Sequence, residues 1–107
     1  MANAYINAKA DLTTTGITTL YTCGPFATAV VKSILVCDDS NNGDTLTLTI
    51  TDASNAVFVL FDSKTIAGHV TIELLTAPLV VQADEVLKVT AATANRLHVV
   101  ASILEIS

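Results

Sequence analysis

Several short segments of this chain alternate between apolar and polar residues with a period of two. The clearest is segment 45–52, in which Leu46, Leu48 and Ile50 are separated by threonines. Successive side chains of a β-strand point to opposite faces, whereas the apolar positions of an amphipathic helix recur about every 3.6 residues. The segment therefore predicts a strand with an apolar core face and a threonine face.

The same alternation recurs elsewhere along the chain. It is clear in segments 70–74 and 85–91 and weaker in segment 4–12. No long segment repeats its apolar positions with a helical period. We therefore expect strands at 45–52, 70–74 and 85–91, and we expect residues 1–14 to form an edge strand or a partly free arm.

Three further runs, 29–36, 57–61 and 97–104, are apolar without alternating. A strand that is apolar on both faces is typically covered on both faces. In a two-layer sandwich the outer face is covered by a bulky loop or by another subunit, so these runs favour an oligomer. Run 57–61 would be an aggregation hazard as an exposed edge, and we expect it to be covered. Burial on both faces inside the fold is the competing interpretation.

Turn-forming residues divide the chain at intervals of about ten residues. The turns contain glycine, proline, asparagine, aspartate or serine and occur at 15–16, 23–25, 38–44, 53–55, 67–68, 77–78, 83–84 and 94–95. Short strands at this spacing are typical of sandwiches and barrels. We predict an all-β fold, a single antiparallel β-sandwich that is jelly-roll-like, has about eight short strands and spans residues 1–107 as one domain.

The composition is apolar for a domain of 107 residues. Hydrophobic residues make up 51% and charged residues 14%, whereas charged residues usually reach about a quarter of a soluble domain. Polar residues interrupt every apolar run before the roughly 20 residues of a membrane helix, so we expect no membrane segment. The first residues contain neither the basic nor the apolar region of a signal peptide. The surplus apolar surface favours a subunit interface.

The charge balance argues against nucleic acid as a partner. The net charge is −5, and the few basic residues are scattered along the chain: Lys9, Lys32, Lys64, Lys88 and Arg96. Binding to nucleic-acid phosphates requires clustered basic residues. We therefore expect no nucleic-acid partner.

The two cysteines, Cys23 and Cys37, are too few for a disulfide framework. Two small buried thiols would fit a reducing cytoplasm. The alternative is a disulfide, if the two segments are neighbours in the fold.

Segment 38–44 reads DDSNNGD and matches the start of a calcium-binding EF-hand loop. The residues at the first, third, fifth and sixth positions of that loop are Asp38, Ser40, Asn42 and Gly43. The twelfth position, which requires a bidentate glutamate, is Thr49, and an alternating strand follows instead of a helix. We interpret the segment as a hairpin loop closed by side-chain-to-backbone hydrogen bonds, with weak surface calcium binding as the alternative.

The sequence contains no recognisable catalytic pattern. His69 and His98 have no second ligand at metal spacing, and the chain has neither a nucleophile elbow nor a glycine-rich phosphate loop. We expect a protein that is not an enzyme, with no cofactor and no metal. The candidate residues for a protein interface come from run 57–61, from the residue that precedes run 97–104 and from the start of that run: Val57, Val59, Phe61, Arg96 and His98.

Aromatic residues are few, and we expect most of them in the core. They are Tyr5, Tyr21, Phe26, Phe58 and Phe61. A stacking platform for a sugar needs an exposed aromatic ring, and tryptophan is absent from the chain. This composition argues against a lectin.

Two stretches resemble small virion proteins of tailed bacteriophages. Residues 20–36, LYTCGPFATAVVKSILV, are similar to an opening stretch of those proteins, and residues 72–91, IELLTAPLVVQADEVLKVTA, are similar to a later one. Together the stretches cover rather more than a third of the chain. Ala83, Asp84 and Glu85 stand where the family usually has a Gly-Asp turn, a departure that bears on the turn type.

The resemblance implies a jelly-roll-like or related sandwich that sits on a phage particle, often as a trimer. It implies a capsid decoration (cement) protein that binds the major capsid protein and ties neighbouring capsid subunits together, in a virion assembled in the host cytoplasm. A neck, head–tail or tail component is the alternative from the same particle. A small carbohydrate-binding module is the alternative from another class. The resemblance brings no catalytic residues with it.

Overall fold

The computed structural model describes residues 3–107, which form nine β-strands and no helix. The strands are β1 (Asn3–Asp11), β2 (Thr18–Thr22), β3 (Thr28–Asp38), β4 (Asp44–Thr51), β5 (Val57–Ile66), β6 (Thr71–Glu73), β7 (Leu79–Val81), β8 (Val86–Ala91) and β9 (Leu97–Ile106). No helix in these residues is therefore long and apolar enough to cross a membrane.

The strands form two antiparallel sheets, which confirms the predicted sandwich. One sheet has the order β1-β9-β3-β6, with β7 also paired to β3, and the other has the order β2-β8-β4-β5. Most connections cross from one sheet to the other, as in a jelly roll. Strands β6 and β7 lie one after the other along β3 and share one strand position. The nine strands therefore occupy eight strand positions in the two sheets, and eight is the number of strands that the turn spacing predicted.

Strand β4 has the predicted alternation. Leu46 and Leu48 are fully buried, Ile50 packs against the core, and Thr47 and Thr49 lie half-buried on the outer face. Strand β8 follows the same rule, with its alternate apolar residues buried. A period of two therefore identified the core face of both strands correctly.

Runs 29–36 and 97–104 are not buried on both faces inside the fold, so that interpretation was wrong for them. Both alternate in the structure, because β3 has the buried Val36 next to Leu35, which is 41% exposed, and β9 has the buried Val99 next to the exposed His98. Within the chain, the outward residues of these two strands are half-buried or exposed.

Run 57–61 is also not covered within the chain. It begins β5, which lies at the edge of its sheet and pairs only with β4 among the described strands. Val57, Phe58 and Val59 are 60%, 55% and 57% exposed. The competing interpretation, burial on both faces inside the fold, is therefore wrong for this run.

The core lies between the sheets and contains one buried aromatic residue among those described, Tyr21. Its hydroxyl donates a hydrogen bond to Glu105 Oε2, which joins β2 of one sheet to β9 of the other. Burial and this hydrogen bond raise the pKa of Tyr21. The expectation that most aromatics lie in the core was wrong, because Tyr5 and Phe26 are 78% and 92% exposed.

Candidate interaction surfaces

Four connections meet at one end of the sandwich, which we call the loop end: β1–β2, β3–β4, β5–β6 and β8–β9. Backbone hydrogen bonds join them, including Asp39 N to Arg96 O at 3.0 Å and His69 N to Ser40 O at 3.0 Å. The other candidate interaction residues lie on the strands or at the opposite end of the sandwich.

The β3–β4 connection at 38–44 has the predicted turn chemistry in a different setting. Ser40 donates to Asp38 Oδ1 from its backbone N at 2.7 Å and from its hydroxyl at 2.6 Å, and Gly43 has a φ of 71°. The loop is not a hairpin, because β3 and β4 belong to different sheets. Its chemistry therefore serves a crossover between the layers.

The carboxylate of Asp44, at the end of this connection, accepts hydrogen bonds on both of its oxygens. The two carboxylate oxygens of Asp44 accept hydrogen bonds from Thr45 N at 2.8 Å and Thr93 N at 3.0 Å. Beside it lies an open depression of about 510 Å³ between the β3–β4 and β5–β6 connections. Within residues 3–107 no three His, Cys, Asp or Glu side chains are grouped to hold a metal ion.

His98 lies between two carboxylates on the outer face of the β1-β9-β3 sheet. Its Nε2 is 3.2 Å from Asp11 Oδ1, and its Nδ1 is 3.8 Å from Asp39 Oδ2. Strand register places Asp11 and Cys37 directly opposite His98 on the two neighbouring strands. Sequence reasoning missed this cluster because its members are far apart in the chain: Asp11 lies on β1, His98 on β9 and Asp39 directly after β3. All three ionisable partners are largely exposed, so the pairs contribute little to stability.

Arg96 does not share a surface with the β5 candidates. It precedes β9 at the loop end, where its Nη1 donates to Gly43 O at 2.9 Å, and it is half-buried. Val57 and Val59 lie on β5 of the other sheet, opposite Thr51 and Thr49 on β4. The five predicted interface residues thus occupy two separate places.

The first of these places is an exposed apolar edge, which we call the β5 strip: Val57, Phe58, Val59 and Leu60. Each of these side chains exposes more than a third of its surface. The register with β4 shifts between Leu48 and Thr49, so Leu60 is an extra residue in a β-bulge. No charged residue lies within the strip.

Phe61 continues from the β5 strip into a groove between the two sheets. This seam groove has a volume of about 230 Å³ and is formed by the end of the strip and by the β6–β7 connection. Its lining is apolar apart from one threonine: Leu60, Phe61, Leu74, Leu75, Thr76, Ala77, Pro78 and Leu79. The groove lies at the edge of both sheets, where the sandwich is open.

A protruding phenylalanine lies at the end opposite the loop end. Phe26 follows Pro25 in the β2–β3 connection, where Ala27 N donates to Gly24 O at 3.3 Å. The adjacent β7–β8 turn is hydrogen-bonded to this connection through Cys23 and is completed by Asp84, which has a φ of 65°. Aspartate tolerates this conformation better than most residues, so Asp84 makes the turn possible without the Gly-Asp pair of the phage proteins.

The cysteines are both free thiols. Cys23 is buried, and burial raises the pKa of its thiol. Cys37 is half-buried on the outer face of β3. The alternative of a disulfide between them is therefore wrong in this structure.

No protein-family model and no curated protein sequence matches this chain. Among solved structures, a chain of the structure of infectious bursal disease virus, Gt strain, is similar to it, with a TM-score of 0.50 and 12% sequence identity. The match covers 98% of this chain and 30% of that chain, so this protein spans less than a third of the viral chain. At this identity the likeness is one of fold. The chain shares its β-sandwich fold with part of a protein found in a virus.

Proposed function

We propose that this chain is a non-enzymatic structural protein of a virion, and specifically a capsid decoration protein of a tailed phage. In this proposal it forms a homotrimer that binds between subunits of the major capsid protein. The β5 strip is the observation that carries the proposal. A jelly-roll sandwich, a fold shared with part of a viral protein and the resemblance to phage virion proteins agree with it.

The β5 strip has the properties of a protein-binding surface. Its apolar side chains are exposed along the edge of a sheet, and fixed strands hold them in place. Burying apolar surface contributes about 25 cal/mol per Å², and aromatic residues are enriched where protein partners bind. The Asp62–Ser63–Lys64 sequence that follows limits the apolar stretch on that side.

Decoration would stabilise a capsid by mass action. A protein that binds the assembled, expanded shell but not its free subunits stabilises the shell by its binding free energy. Weak individual contacts add up when each trimer engages several subunits at once. The chain needs no catalytic group for this role.

The test is titration onto expanded capsids that lack this chain, with heat resistance and DNA retention as readouts. Wild-type protein should saturate at a copy number comparable to that of the capsid subunit and should raise the temperature of DNA release. Val59→Asp, which places a charge in the β5 strip, should weaken binding by about tenfold or more. Asn7→Asp adds the same charge at an exposed position on β1 and should bind normally.

Other outcomes would select the alternatives. Saturation at one ring of copies would replace decoration with a neck or tail role. Failure to bind capsids together with specific binding to a glycan array would replace both with a carbohydrate-binding module, for which the exposed rings of Tyr5 and Phe26 would be the first candidates.

A further inference from the structure

We propose that β5 binds an extended segment of the capsid protein as an additional strand along the β5 strip. The inference rests on the proposed function, in which the strip binds the capsid, and it specifies how the strip does so. The backbone groups of β5 and the side chains on its two faces support it.

The hydrogen-bond pattern of β4 determines which of its residues bond to β5. Residues of a central antiparallel strand bond alternately to the neighbour on one side and to the neighbour on the other. Thr45 O accepts a hydrogen bond from Ala92 N at 3.2 Å, which continues the pairing of β4 with β8. The even-numbered residues of β4, among them Ile50, therefore bond to β5. Asp52 N donates to Ala56 O at 2.9 Å in the register of β4 with β5, which agrees with this pattern.

The same alternation gives two residues of β5 outward backbone groups. Phe58 lies opposite Ile50 and bonds to it. Val57 and Val59 alternate with Phe58, so their N–H and C=O groups point away from β4. On that side of β5 no described strand follows. These four groups form the ready-made template that an edge strand offers to another extended chain.

The exposed side chains of the strip lie on both faces of the sheet. Cross-strand neighbours share a face. Val59 lies opposite Thr49 on the threonine face, whereas Phe58 lies opposite Ile50, which packs against the core. Val59 and Phe58 are both more than half exposed. A strand added at the edge would cover side chains on both faces, whereas a flat surface would cover only one.

The regular part of this edge is short. The turn at 52–56 precedes it, and the bulge at Leu60 shifts the register directly after Val59. Farther along β5 a charge of each sign follows, and Ser63 has a φ of 52°. Bulges and charges limit pairing along an edge. The edge therefore fits a short, uncharged, extended segment that pairs with residues 57–59.

A second copy of this chain would be a different occupant. Pairing of β5 with β5 of another copy uses the same surface twice and gives a two-fold dimer. It would also cover the strip that the proposed function assigns to the capsid. A homotrimer that binds the capsid through its strips requires β5 to be free for the capsid protein.

Proline substitution separates strand addition from side-chain contact alone. Val59→Pro removes an outward N–H but keeps an apolar side chain and the hydrogen bonds between β4 and β5. It should weaken binding to expanded capsids that lack this chain by about tenfold or more, because the added strand loses a hydrogen bond and leaves a buried acceptor unpaired. Circular dichroism should show that the variant keeps the wild-type fold.

Asn7→Pro is the matched control, because β1 is the free edge of the other sheet. Leu12 N donates to Leu97 O at 3.1 Å in the register of β1 with β9, so the odd-numbered residues of β1 have outward backbone groups. Asn7→Pro therefore makes the same backbone change at an exposed edge position outside the strip. It should bind capsids normally.

Amide hydrogen exchange provides a second readout that needs no variant. In the free chain the amides of Val57 and Val59 should exchange faster than that of Phe58, which is bonded to β4. On capsids the two valine amides should exchange more slowly by about tenfold or more, because the added strand would accept hydrogen bonds from them.

Normal capsid binding by Val59→Pro, together with weakened binding by Val59→Asp, would overturn strand addition and leave the strip as the capsid contact. Valine amides that exchange equally fast on and off capsids would also overturn it. So would a wild-type dimer in sedimentation velocity that Val59→Pro dissociates. Wild-type protein that does not bind capsids would overturn the proposed function and this inference with it.

Discussion

Strands β9 and β5 have the same apolar signal in sequence and opposite environments in the structure. Run 97–104 lies in β9, which has a strand on each side and buries its inward residues completely. Run 57–61 lies in β5, which has one neighbour and exposes most of its apolar surface. Position in the sheet, and not composition, separates a buried core strand from an exposed apolar edge.

The difference is informative because exposed apolar edges are usually avoided. Natural sheets protect an edge with charges, proline, bulges or a short strand. β5 has a bulge at Leu60 and charges only after Phe61, and it keeps its five-residue apolar run. An edge that retains such a run is the observation behind the partner that we propose for it.

The largest effect is expected on β4, which separates β5 from the rest of its sheet. Leu48 is fully buried, so Leu48→Ala should lower the free energy of unfolding by about 2–5 kcal/mol. Thr47→Ala should cost about 0.5–1.5 kcal/mol, since it removes the hydrogen bond from Ser63 N to the Thr47 hydroxyl. If urea unfolding gave the two variants equal losses in the free energy of unfolding, β4 would be buried equally on both faces.

A matched pair of valines tests the comparison of β9 with β5 directly. Val99 is fully buried in β9 and Val59 is 57% exposed in β5. Val99→Ala should lower the free energy of unfolding by about 2–3 kcal/mol, through lost burial and a residual cavity. Val59→Ala should change it by less than about 1 kcal/mol in the isolated protein. A large loss for Val59→Ala would show that β5 is already covered in solution.

The pH dependence of the free energy of unfolding tests the role of Glu73. This residue ends β6, at the sheet edge that faces β5 across the seam groove. There the Glu73 carboxylate accepts hydrogen bonds from Ile34 N at 2.7 Å, Leu75 N at 3.2 Å and the Ser33 hydroxyl. Burial raises the pKa of Glu73, but these hydrogen bonds outweigh it and hold the pKa below its ordinary value of 4.5.

The sign of the effect follows from linkage. A lowered pKa in the folded state contributes stability above pH about 4.5, and this stability is lost as the pH falls through the folded-state pKa. Wild-type protein should therefore lose part of its stability in acid, and Glu73→Gln should have a flatter profile in that range. Superimposable profiles for the two proteins would show that Glu73 does not hold this edge.

The smallest effect is expected at the loop end. Chelation by EDTA should leave the melting temperature unchanged, because Asp38 Oδ1 and both carboxylate oxygens of Asp44 already accept hydrogen bonds within the chain. A drop in melting temperature that calcium restores would show that segment 38–44 binds a cation after all.

Local patterns predicted much of the fold. Alternation located β4 and β8, and turn chemistry located the connections, because both depend on neighbours in sequence. Patterns did not show that β3 crosses to the other sheet after Asp38, since sheet membership depends on pairing between distant strands. They also predicted most aromatic residues in the core and did not identify Phe26 as exposed, because nothing local distinguishes a ring beside a turn that points inward from one that points out.

The candidate surfaces depended even more on pairing. Val57 and Val59 were predicted from composition and do lie on an exposed apolar edge. The groove beside Phe61 and the cluster of His98 with Asp11 and Asp39 required strand register, which joins residues far apart in the chain. An apolar run in sequence can therefore identify a candidate interface without showing the shape of the surface around it.

The decoration role is tested most directly by the copy number of this chain in purified virions, measured against the major capsid protein by quantitative mass spectrometry. A decoration protein repeats with the lattice of the shell, so we expect a ratio of the order of one copy per capsid subunit. Virions stripped of this chain should regain that ratio when the purified chain is added back. A ratio that corresponds to a single ring of copies, or the absence of this chain from the particle, would rule out decoration.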